Sequence, residues 1–173
     1  MTAVLALLLA AAFGAGDQYL GSFSMHPWMA DVSLLSAPWL LLPFFAGWTQ
    51  REAKRAALLG LGCTFAALLG YGLMTLSPFE NAHLTTATAR GFLVSSHRIF
   101  FGALFTGPLF AWLGYRWRVH RDWLGALATA GALCLEPLAH VIRSGTVRLA
   151  EVAAGLALAG YFAVSVAARE RAR

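Results

Sequence analysis

Residues 56–76 read AALLGLGCTFAALLGYGLMTL, an apolar run entered from Arg51, Lys54 and Arg55 and closed by Ser77 and Pro78. About 20 residues of this kind are what an α-helix needs to cross roughly 30 Å of hydrocarbon. The run, marked by Gly60, Gly62, Gly70 and Gly72, therefore reads as a membrane span. Working outward, comparable runs occupy residues 3–22, 32–48, 91–115, 123–142 and 147–168. The whole chain is 59% hydrophobic and only 12% charged, against about a quarter charged in an ordinary soluble domain. The expectation is an all-α integral membrane protein, with residues 1–173 forming a single transmembrane domain and a bundle of about six helices.

The first run is rich in Ala and Gly, and its last third carries Asp17 and Gln18. Small residues around Ala15 suit a signal peptidase, but no Lys or Arg precedes the apolar stretch, so it reads as a retained span. In the second run, Pro38 and Pro43 predict a kinked helix, tolerated where neighbouring groups satisfy the freed carbonyls. Cys63 and Cys134 fall inside spans without CxxC spacing, which indicates small core residues rather than a redox pair.

The net charge is +5, yet the basic residues sit in short connections and not on one face, which excludes a nucleic-acid footprint. Arg51, Lys54 and Arg55, then Arg116, Arg118 and Arg121, then Arg169, Arg171 and Arg173 fall on one side of the expected bilayer. The other side has only Arg90, Arg143 and Arg148, with Arg98 inside a span. By the positive-inside rule the richer side is cytoplasmic, which puts both termini inside and the protein in the cytoplasmic membrane.

Polar residues are distributed unevenly with respect to that orientation. Asp17, Gln18, Asp31, His97, Arg98, Glu136 and His140 all fall toward the non-cytoplasmic side. Ionisable groups inside spans are costly unless they face a bundle interior or a wet cavity, so these residues predict a polar cavity opening outward. Glu136 is the deepest. Pro137 frees the carbonyl four residues back and bends the helix there, while His140 and Arg143 share the face of Glu136. An alternative use of Glu136 is a structural ion pair with Arg98, and Arg148 with Glu151 reads as a local pair. In the first outer connection, beside His26, the rings of Tyr19, Phe23 and Trp28 suit either an interfacial belt or the walls of a ligand site.

Enzymatic chemistry is less well supported. Glu136 and His140 have helical spacing for two zinc ligands, but HExxH is absent and no third ligand is fixed. Ser95 and Ser96 adjoin His97, yet neighbours on a helix point in different directions. His97 and His140 are conceivable haem ligands with no distinguishing spacing. No catalytic or metal residue is assigned, and the cofactor is left open.

The segments 16–22, GDQYLGS, then His26, Pro27 and Trp28, then 31–39, DVSLLSAPW, resemble a family of small actinobacterial multi-pass membrane proteins carried as a domain of unknown function. The likeness extends through Leu69, Gly70, Tyr71 and Gly72 to Glu136 and Pro137. It implies an inner-membrane location and no particular activity. In plan the chain is also similar to the substrate-capturing subunits of energy-coupling-factor vitamin transporters. That similarity implies a membrane partner subunit meeting the first helix through Ala6, Ala10 and Gly14. The leading expectation is thus a protein that binds or transports a small molecule through the outer site of Asp17, Gln18, Asp31, His97, Arg98, Glu136 and His140. The alternatives are a membrane-embedded enzyme using Glu136 and His140, and a structural subunit; its surroundings are the lipid bilayer, with no nucleic acid.

Overall fold

The stretch rich in alanine and leucine at the start of the chain forms helix α1, Ala3–Ser22, as such straight-chain and small residues favour. In the computed structural model, the described residues are 3–22 and 37–120, together with Met29, Ser33, Ala130, Gly131, Leu156, Ala157, Gly160, Tyr161 and Val164. Helix α2 spans Ala37–Trp48 and α3 spans Ala53–Thr75. A short 3₁₀ turn, Pro78–Glu80, then leads to α4, Thr86–Val119. No strand occurs among the described residues, and α1 and α3 are each long and apolar enough to cross a membrane. Spans 123–142 and 147–168 lie almost wholly outside the described residues.

Helix boundaries follow local chemistry. Thr85 caps α4 by accepting from the Thr88 amide at 3.1 Å, and the Thr88 hydroxyl accepts from the Thr85 amide at 2.9 Å. This reciprocal arrangement satisfies two amides that a helix start leaves open. It starts α4 well before the apolar run at 91–115, and the helix also continues through Arg116 and Arg118. Those cations sit in its last turn, where the helix dipole favours them. Between α3 and α4, Asn81 adopts left-handed backbone angles with φ of 55°, a conformation that asparagine tolerates better than most residues. Beside this turn, the Ser22 hydroxyl at the end of α1 meets the Glu80 carboxylate.

α3 is the central helix, packed on α1, α2 and α4, while α2 also packs on α4. Close approach is made by small residues. Ala6, Ala10 and Gly14 of α1 are buried in one cluster region with Cys63 and Ala67 of α3. The Gly14 backbone lies directly against the Ala67 carbonyl, and Gly70 lies against the Ala11 carbonyl. Small residues let helix backbones approach this closely. The ridge assigned from sequence to a partner subunit is therefore occupied by α3 of the same chain. α3 and α4 run antiparallel, with Phe65 near Phe100 and Tyr71 near Phe92, and with Gly60 against Ala111. Gly47 and Gly114 bring α2 and α4 together at Ala111 and Phe44.

At that same end, Arg118 Nη1 donates to the carbonyls of Trp48 at 2.9 Å and Thr49 at 2.7 Å. The guanidinium thus satisfies carbonyls that the end of α2 leaves unpaired. Arg51, in the connection after α2, and Lys54 and Arg55, in the first turn of α3, therefore lie toward the same end of the bundle as Arg116 and Arg118 in the last turn of α4. The opposite end holds Ser22 and Glu80.

Many large apolar side chains face outward. Small residues hold many buried positions beside Phe44, Leu68, Phe110, Leu113 and Trp117, whereas Leu5, Leu8 and Leu9 of α1, Leu69 and Leu73 of α3, and Phe101, Phe105 and Leu109 of α4 are exposed. A helix apolar on all sides needs an apolar environment on all sides.

Candidate functional site

Asp17 lies five residues before the end of α1, on the wall of a cavity of about 440 Å³ that reaches toward the middle of the helices. The volume falls within the range of small-molecule pockets, roughly 300–1,000 Å³. All four helices contribute. α2 supplies Trp39 and Leu40, α3 supplies Thr64, Leu68 and Tyr71, and α4 supplies Phe92, Ser96, Ile99, Gly102, Ala103 and Thr106, with Ser33 also at the wall. The α3 positions are four and three apart, and Phe92, Ser96, Ile99, Ala103 and Thr106 continue that spacing on α4. Each set therefore occupies one face of its helix.

The walls are chiefly aromatic and aliphatic, with a few polar groups. Trp39 Nε1–H donates to Asp17 Oδ2 at 3.2 Å, fixing the carboxylate's orientation. The Trp39 ring meets Phe13 at 5.4 Å and Tyr71 at 6.0 Å between centroids, both edge to face, and Tyr71 stacks on Phe92 at 6.5 Å. These offset and T-shaped pairs are favourable geometries for ring quadrupoles. The Thr64 hydroxyl donates to the Gly60 carbonyl at 2.9 Å and the Thr106 hydroxyl to the Gly102 carbonyl at 3.1 Å. A second hollow of about 420 Å³ lies between α1 and α2, lined by residues such as Leu9, Phe13, Leu41 and Phe45. Its walls hold no ionisable group apart from the thiol of Cys63, so nothing there orients a polar ligand.

Of the residues expected from sequence to form an outer site, Asp17 lines the cavity. Gln18, next to it, turns to Ser22, whose hydroxyl lies 3.5 Å from its amide nitrogen. His97 is exposed with Nδ1 2.6 Å from the Val94 carbonyl, and Arg98 is exposed; neither is among the lining residues. Ser96, half-buried, and Ile99, at the exposed edge, line the cavity, and the two residues between them do not. Asp31, Glu136 and His140 lie outside the described residues, as do Phe23 and Trp28, while Tyr19 is exposed. Among the described residues no three His, Cys, Asp or Glu side chains gather as a metal site would require.

Trp39, Tyr71, Phe92, Thr64 and Thr106 were not singled out by sequence reasoning. The helical spacing of Thr64, Leu68 and Tyr71 was the available signal, but apolar residues surround α3 on every side and leave its inward face unmarked. No protein-family model, curated protein or solved structure matches this chain.

Proposed function

We propose that this chain is a multi-pass protein of the cytoplasmic membrane, with both termini inside, that binds a small molecule or carries it across. The observation that carries the reading is the cavity around Asp17, walled by all four described helices and of ligand size. A carboxylate kept within an apolar bundle is costly unless it serves a site or a partner. Here its protein partner among the described residues is a single indole N–H. Apolar outer faces on α1, α3 and α4 support a lipid surrounding, and the collected basic residues at the Arg118 end support a cytoplasmic position for that end.

Two experiments test this reading. Gly102 lines the cavity, and a Cβ built on it meets nothing within 4 Å, so Gly102→Leu starts its side chain in open space beside the cavity. Native mass spectrometry of gently purified wild-type protein is expected to show a co-purifying small molecule that Gly102→Leu lacks, at equal thermal stability. A bound molecule retained in full by the leucine variant sinks this site. Orientation is checked separately by reporter fusions after Arg55, Glu80, Arg121, Ser144 and Arg173, expected to read inside, outside, inside, outside and inside. An external signal from the Arg173 fusion would refute the topology.

A further inference from the structure

Three donors at the cavity wall are turned away from any ligand. Trp39 Nε1–H is bonded to Asp17, the Thr64 hydroxyl proton to the Gly60 carbonyl, and the Thr106 hydroxyl proton to the Gly102 carbonyl. What these groups leave facing the space is acceptor capacity: the remaining carboxylate lone pairs and the two threonine oxygens. The hydroxyls of Tyr71 and Ser96 can rotate to donate or accept. An anionic ligand would find a carboxylate, aromatic rings and no cation among the described lining residues.

A cation finds the reverse. Asp17 has no basic partner among the described residues, where the ion pair present is Arg55 with Glu52 at 2.9 Å. A carboxylate removed from water is stabilised chiefly by acquiring an opposite charge, and the rings of Trp39, Tyr71 and Phe92 attract positive charge through their quadrupoles. A small metal ion does not suit the space. Hard cations need about six oxygen ligands close around them, whereas these walls are mostly ring and aliphatic carbon and the volume is about 440 Å³.

We infer that the cavity takes an organic cation: an amine or quaternary ammonium on an apolar body, its charge against Asp17 and its body against Trp39, Tyr71 and Phe92. The inference rests on the cavity being a binding site, and it adds the sign of the ligand's charge.

The test compares benzyltrimethylammonium with neopentylbenzene, which has the same shape with carbon in place of the charged nitrogen. Binding to the full chain in nanodiscs is measured by calorimetry, with empty nanodiscs as the blank. Wild-type protein is expected to bind the cation about tenfold or more tightly than the neutral isostere, the scale of a desolvated cation–π and charge contact. Asp17→Asn is expected to erase that preference while leaving neutral binding unchanged, Asp17→Glu to keep most of it, and Gly102→Leu to weaken both probes. Equal binding of the two probes in wild type, both lost in Gly102→Leu, overturns the cation and leaves the cavity as a site. A preference for the cation that survives Asp17→Asn also overturns it. Binding of neither probe overturns the cavity reading and this inference together. The wild-type comparison needs no variant, so poor folding of Asp17→Asn does not decide the outcome.

Discussion

Gly14→Ala is expected to lower the stability of the bundle by about 2–3 kcal/mol, toward the upper range for overpacking, and Gly14→Leu to leave little folded protein. The reason is the identity of the obstructing atoms. A Cβ at Gly14 is driven into the carbonyl, carbon and Cα of Ala67, and Gly70 stands in the same relation to Ala11. These are backbone atoms of a helix, which cannot swing away as the tip of a leucine can. Relief requires α1 and α3 to separate, and separation removes the contacts of Ala6, Ala10, Cys63 and Ala67 together. Gly16 supplies the control: two residues along the same helix, a Cβ there meets nothing within 4 Å. Gly16→Ala is expected to be neutral or stabilising by about 0.5–1 kcal/mol from helix propensity. Unfolding by SDS titration in mixed micelles measures all three. Coincident midpoints for Gly14→Ala and Gly16→Ala would show that the α1–α3 contact is not close.

Trp39→Ala is expected to cost about 3 kcal/mol, the low end for a large aromatic truncated to alanine. The ring joins Phe13 on one side to Tyr71 on the other, so its removal opens one wall of the cavity and unseats both neighbours. Trp39→Phe separates two roles. It keeps an aromatic body but deletes the N–H bonded to Asp17, which leaves a carboxylate without its donor and is expected to cost about 1–3 kcal/mol. Combined with Asp17→Asn, the phenylalanine substitution should cost markedly less than it does alone, because the charge that needed the donor is gone. Additive losses in this double-mutant cycle would mean that the indole and the carboxylate are uncoupled.

Among the described residues, long apolar runs were legible as helices: residues 3–22 correspond to α1, and the 56–76 run to most of α3. The start of α4 was not, because hydropathy responds to Gly91 onward whereas the helix begins at a threonine capping arrangement around Thr85 and Thr88. Asp17 stood out because one carboxylate in an apolar run is conspicuous, and it lines the cavity. His97 and Arg98 were equally conspicuous, but their direction depends on the rotation of α4 about its axis. Phe101, Leu104 and Phe105 outside and Ala103, Phe110 and Leu113 inside are all apolar, so no periodicity sets that rotation. The ridge of Ala6, Ala10 and Gly14 illustrates the same limit. Small residues announce that a helix backbone will come close, and they do not say whose.

The arrangement of α2 and α4 bears on how the cavity's size is controlled. Their backbones touch where Gly47 meets Ala111 and Gly114 meets Phe44, and Arg118 ties that end together. Farther along, both helices line the cavity, α2 through Trp39 and α4 through Ser96. Two rods joined at one end behave as a wedge, whose gap depends on the angle at the joint. A methyl group inserted at Gly47, which does not line the cavity, is therefore expected to change the room within it from the end of the bundle that holds none of it.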